Sequence, residues 1–349
     1  MAGRTAIGLD IGTSVVRAVE LSYGRSGITL ERFGQVVLPE GAVRDGEVVD
    51  PEPVTASLRQ LWSATGFSHK RVVMGVANQR VIVRQLELPW TPKDELRASL
   101  PFQVQDFLPM PVDQAVLDFF PVEETTDASG SRQLRGLLVA AARETVLANV
   151  RCAEKAGLTA LSVDLTSFAV LRAMGKQTGA DVETEALIDI GARVTNVVVH
   201  SAGMPRFVRI LLMGGQDITD AVADRLGITV AEAEALKQTA AQTGSTEDLA
   251  AVNRALTATA QEFVDEIRNS LDYYAASTPG VPLERILLSG GGSRLDGLAE
   301  RLSAATRLPV VAGDPLASLK IGRTGLDDTQ LAFVRPLAAV PVGLALGAM

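Results

Sequence analysis

The chain has 349 residues, a formal net charge of −8, 4% aromatic residues and one cysteine, Cys152. Acidic composition without long basic runs argues against a nucleic-acid surface. A lone cysteine excludes an internal disulfide and fits a reducing compartment, and two histidines, His69 and His200, leave little room for a zinc site.

The N-terminus, MAGRTAIGLD, enters a strand at once and carries no signal-peptide apolar region. No apolar run reaches the ~20 residues that span a bilayer, so the chain is expected to have no membrane span of its own. Residues 4–10, 15–22 and 27–38 read as strands joined by tight turns at Gly12 and at Gly24-Arg25-Ser26-Gly27. Residues 51–65 read as a helix, with Asp50 as N-cap, Pro51 at its first position and Gly66 closing it. Strands at 71–77 and 80–88 follow.

Thr91-Pro92 opens a helix, and 116–124 and 134–142 read as two strands around a polar turn. A helix over 142–157 and a strand at 158–164 come next. The segment 90–157 is expected to form an inserted subdomain, and a helix at 167–177 connects to the second half. There, strands at 186–190, 194–200 and 206–212 precede a helix opened by Gly214-Gly215. Ala/Glu/Gln-rich residues 230–276 predict several helices. A strand at 285–292, a helix at 295–306, a strand at 308–313 and a closing helix complete an α/β chain of two related halves. The apolar terminal stretch LAAVPVGLALGAM reads as a core helix, since it lacks the basic face of an interfacial one.

One phrase occurs twice, half a chain apart: DIGTSVVRAVEL at 10–21 and DIGARVTNVVVH at 189–200. Each follows a strand-like apolar run and enters another strand. At Gly12 a tight turn exposes backbone N–H groups, an anion-binding concavity, and Thr13 and Ser14 add hydroxyls. Asp10 is a candidate ligand for hydrated Mg²⁺, and Arg17 a bidentate phosphate contact. Asp189, Gly191, Ala192 and Thr195 repeat the logic. Either turn alone is an ordinary Asp-Gly turn; the matched pair is specific. A third motif, Ser289, Gly290, Gly291, Gly292 and Ser293, joins strand to helix and allows close approach of a ligand such as adenosine. Trp62 and Trp90 read as packing residues. Phe102, Phe107, Phe119 and Phe120 are either core or the lining of a peptide groove.

The order of two phosphate turns and a Gly-rich loop resembles the actin, heat-shock-chaperone and sugar-kinase superfamily. FLPMPVDQAVLDF at 107–119 and VVMGVANQRVIVRQLELPWTPKDEL at 72–96 narrow the resemblance to the PilM family of type IV pilus assembly, over nearly the whole chain. That resemblance implies an actin-like (ribonuclease H-like, duplicated) ATPase fold. Subdomain 1A would be 1–89 with 158–182 and 325–349, 1C would be 90–157, 2A would be 183–216 with 277–324, and 2B would be 217–276. It implies ATP and Mg²⁺ in a central cleft, with Asp10 and Asp189 on the metal. Gly215 would sit where 2A turns into 2B. Glu234 and Lys237 would lie against adenine and ribose, a role that competes with that of a solvated helix face.

The implied partner is the cytoplasmic N-terminal peptide of a PilN-like inner-membrane protein, docked between 1A and 1C and recruiting the chain to the membrane's inner face. Self-association is a further expectation. Relatives place a carboxylate or amide after the insert to orient the attacking water. Here Thr166 holds that position, a poor base where such groups give ~10²–10⁴-fold, which predicts slow or absent hydrolysis. Two other readings are an FtsA-like membrane filament, against which the absence of a basic tail after LALGAM counts, and a small-molecule kinase, for which 90–157 holds no sugar-kinase signature.

Overall fold

A computed structural model describes residues 4–25, 27–175, 182–240, 247–278 and 280–348. The first half runs β1 (Arg4–Ile11), β2 (Val15–Gly24), β3 (Gly27–Val37), a short hairpin of β4 (Val43–Arg44) and β5 (Glu47–Val48), α1 (Pro51–Thr65) and β6 (Arg71–Val76). Then come β7 (Val81–Pro89), α2 (Lys93–Val104), β8 (Ala115–Thr126), β9 (Arg132–Ala142), α3 (Arg143–Lys155), β10 (Thr159–Leu165) and α4 (Thr166–Met174). The second half runs β11 (Thr184–Ile190), β12 (Thr195–Ser201), β13 (Met204–Leu211), α5 (Gly215–Leu226), α6 (Val230–Ala240), α7 (Glu247–Ser277), β14 (Arg285–Ser289), α8 (Leu298–Thr306) and β15 (Val310–Ala312). The chain closes with β16 (Lys320–Ile321), α9 (Asp328–Val334) and α10 (Ala339–Leu346). The expected helix end at 176–177, the loop residue Ser26 and part of the helical segment, 241–246, lie outside the described residues.

Local chemistry sets the elements that the sequence predicts. Asp50 caps α1 by accepting from the Glu52 N–H at 3.2 Å, and Gly66 ends it in the left-handed region. Two large sheets result, ordered β10-β6-β1-β2-β3-β16 and β13-β12-β11-β14-β15. Each is built on an antiparallel hairpin beside parallel strands, and β1–β2–β3 matches β11–β12–β13.

A third sheet, β7-β9-β8, is covered by α2, whose Leu96, Leu100 and Val104 pack on Phe119, Leu134 and Leu138. Because β7 pairs with β9 along its length, this sheet takes in residues before 90. By contrast α3 packs against α1 and β10 of the first large sheet. Lys320 and Ile321 form an unanticipated strand on β3, so the chain has rejoined the first sheet by residue 320. Phe119 is core, Phe120 stacks on Phe168 of α4 at 5.4 Å, and Phe102 is 80% exposed. Trp62 packs on Phe67, whereas Trp90 is partly exposed under the Arg132 guanidinium. An Arg206–Glu123 pair at 3.5 Å ties β13 to β8.

The apolar terminal stretch is a core helix, as expected. Buried residues Ala339 to Ala345 of α10 pack against α4 and β1. The fit leaves no room for side chains: a Cβ on Gly343 would lie 1.8 Å from the Ala169 carbonyl oxygen, and one on Gly8 2.0 Å from that of Pro341. Among the described residues no single helix is long and apolar enough to cross a membrane.

Candidate functional site

A cleft of about 1270 Å³ opens between the two large sheets. Both Asp-Ile-Gly turns line it and are closed alike. The Gly12 N–H donates to the Val15 carbonyl at 3.1 Å, and the Gly191 N–H to the Val194 carbonyl at 2.9 Å. The first turn contributes Asp10, Gly12, Thr13, Ser14 and Arg17; the second contributes Asp189, Gly191 and Ala192. Gly290, Gly291 and Gly292 close one wall, and Gly215, Glu234 and Lys237 another. Gly290 sits at φ 83°, ψ 168°, a conformation essentially reserved for glycine, which ends β14 three residues before the strand predicted to 292 would. The following turn delays the predicted helix, so α8 starts at Leu298.

Two predicted contacts turn away from the cleft. Thr195 Oγ1 donates to the Met213 carbonyl at 2.8 Å, and Ser293 Oγ to the Gly290 carbonyl at 2.7 Å. Strand alternation explains the first: Thr195 and its neighbour point to opposite faces, so Asn196 lines the cleft instead. Asn196 pairs with Asp189 across β11–β12 just as Arg17 pairs with Asp10 across β1–β2. The equal spacing in the two repeats is a signal that the sequence already carried. Arg294 and Phe333 also line the cleft, the guanidinium 4.1 Å from the ring centroid; no motif in the sequence marks Phe333.

Glu234 and Lys237 do not form a merely solvated helix face. Lys237 Nζ donates to the Gly215 carbonyl at 2.9 Å and to Thr219 Oγ1 at 2.7 Å, and pairs with Glu234 at 2.6 Å. The start of α5 is itself anchored to the second turn, through Gly215 N–H to the Gly191 carbonyl and Gln216 N–H to that of Ala192. Arg193 salt-bridges Asp217 and Asp220 and reinforces the same junction.

Burial pushes the Asp10 carboxyl up to about 6; Arg17 opposes this shift and Asp189 adds to it. Burial also raises Asp189, restrained by a 2.6 Å hydrogen bond from Ser289 Oγ and by Arg17. The guanidinium of Arg17 is itself weakened by burial and supported by both carboxylates. No group of three metal-ligating side chains occurs among the described residues. Two carboxylates fit Mg²⁺, which keeps most of its waters. Thr166 lines the cleft but its hydroxyl donates to Asn196 Oδ1 at 2.8 Å.

The family model described as type IV pilus assembly protein PilM matches residues 8–349. Among solved structures, a chain of the PilM-PilN type IV pilus biogenesis complex superposes with TM-score 0.86 and 27% identity, covering 98% of each chain. Ethanolamine utilization protein EutJ from Carboxydothermus hydrogenoformans shares the fold, with TM-score 0.58 and 15% identity over 99% of this chain and 90% of that one. Cell division protein FtsA of Bacillus subtilis (strain 168) is 24% identical over 257 residues, 66% of this chain and 57% of FtsA. The chain therefore spans little more than half the length of that relative.

Proposed function

Because the chain belongs to the PilM family of type IV pilus assembly proteins, we propose that it is an ATP-binding scaffold of the pilus inner-membrane complex. Its fold is actin-like. In this reading the cleft holds Mg-ATP and its nucleotide state sets the affinity for the N-terminal peptide of a PilN-like protein. The paired, identically closed turns carry the proposal. Two backbone cradles face one cleft, with Arg17 beside the first and a carboxylate on each side. Asp10 and Asp189 would hold Mg²⁺, which neutralises phosphate charge when bound. Gly290, Gly291 and Gly292 would take adenosine, while Glu234 and Lys237 would hold α6 over the ribose side.

The β7-β9-β8 sheet with α2 would be subdomain 1C, and the peptide would dock between it and the first large sheet. The sheet's link to β13 through Glu123 and Arg206 gives a route by which cleft angle reaches that groove. With a hydroxyl instead of a carboxylate at Thr166, turnover would be slow. The chain would reside in the cytoplasm and reach the membrane through its partner.

Calorimetric titration with Mg-ATP, and then with the partner peptide in its presence and absence, tests the reading. Saturable ATP binding and an altered peptide affinity are expected. Absence of nucleotide binding overturns the reading, and equal peptide affinities remove nucleotide control.

A further inference from the structure

We propose that Asn196 is the residue that distinguishes a terminal phosphate, and that Thr166 and Ser167 are positioning residues that aim it. The inference rests on the nucleotide-cleft reading and deepens it. Asn196 is buried, at 4% exposure, yet lines the cleft. Its Oδ1 accepts from Thr166 Oγ1 at 2.8 Å and from Ser167 Oγ at 2.7 Å. Two hydroxyl donors occupy both lone-pair directions of that oxygen. The amide nitrogen, a donor, is then the polar atom left to meet a ligand.

Position gives the ligand's identity. Asn196 stands across the β11–β12 ladder from Asp189, level with the second phosphate turn. Its counterpart in the first half is Arg17, across from Asp10. The cleft floor thus presents two donors, one charged and one neutral, at equivalent positions of the two halves. Arg17 sits among the paired carboxylates, whereas Asn196 is bonded to the start of α4, where the halves meet. A phosphate lying between the two turns would accept from both. A shorter nucleotide held by the first turn and the Gly-rich loop would leave Asn196 unengaged.

The same geometry accounts for Thr166. Its hydroxyl is committed to Asn196 and its methyl would lie 2.9 Å from any Cβ at Gly75. Thr166 is therefore a support for the amide, its one proton committed to Asn196 Oδ1.

The test is the ratio of Mg-ATP to Mg-ADP affinity, measured by calorimetry on the full chain. Asn196→Ala is expected to weaken ATP about tenfold or more, the range for a lost hydrogen bond to a charged group, and to leave ADP within about twofold. Asn196→Asp, nearly isosteric, should weaken ATP further by setting a carboxylate against phosphate. Thr166→Val with Ser167→Ala should lose the discrimination while Thr166→Ser keeps it, a pattern that a merely structural role would not give. Tolerance of Asn196→Asp, or equal losses for both nucleotides in Asn196→Ala, overturns the inference while sparing the ATP reading. A wild-type protein that binds neither nucleotide overturns both.

Discussion

Asp10 and Arg17 are direct partners across the β1–β2 ladder, yet burial outweighs the guanidinium and Asp10 holds its proton up to about 6. A carboxylate raised from 3.8 favours the folded state at low pH and loses that contribution as pH rises to about 6. Mg²⁺ needs the ionised form, so its binding runs the other way. Mg-dependent nucleotide affinity is expected to weaken below pH 6, and Asp10→Asn to abolish that dependence. Calorimetric titrations at pH 5.5 and pH 7.5 check this; an unchanged Mg²⁺ response would exclude Asp10 as a ligand.

Gly290→Ala should destabilise the fold by about 1–3 kcal/mol, the cost of a non-glycine residue in this backbone region. A Cβ there would lie 2.3 Å from the Ile190 carbonyl oxygen, in rigid backbone. Urea unfolding measures the loss, and a neutral result would show that β14 and β11 separate without cost.

Lys237→Met should weaken nucleotide binding about tenfold or more through α5, because buried charged hydrogen bonds contribute about 1.5–3 kcal/mol each. The Lys237 amine is the tie from α6 to the Gly215 carbonyl. Glu234→Gln, which keeps the side chain's shape, should cost less. Equal losses would mean that the ion pair, not the tie to Gly215, carries the effect.

His200 is fully buried between Glu185 and the Gly203 N–H, which donates to its Nδ1 at 3.2 Å. Burial, aided by Arg285, pushes its imidazole down to about 4. Between about 4 and 6.5 the unfolded chain binds a proton that the folded one refuses, so this contribution to stability falls as pH drops through that window. His200→Asn should flatten the acid side of the stability profile, read by urea unfolding at pH 4.5 and pH 6.5. A steeper profile would contradict the assignment.

The duplicated halves were legible because the hairpin signal is local: an apolar run, Asp-Ile-Gly, then alternation. Asn196, not Thr195, lines the cleft because strand alternation sends neighbours to opposite faces, and the Asp10–Arg17 spacing in the first repeat carries the same signal. Phe333 and Arg294 were illegible for a different reason. Their encounter depends on α9 returning from the end of the chain, and no short motif records a contact between residues so far from their packing partners. The pairing of β7 with β9 was not legible, since a strand's sequence shows its alternation but not which neighbour it will pair with.

The seat of α10 against β1 joins nearly the last residues to the first. Chains emerge at about 5–20 residues per second and fold in domain units, N-terminal first. Here β1 is made early, and the helix that covers it follows only after the second half. The first half must therefore wait, with its apolar face uncovered, through the whole synthesis of the second. Substitutions and cuts after residue 338 would thus be felt on β1, the strand that carries Asp10.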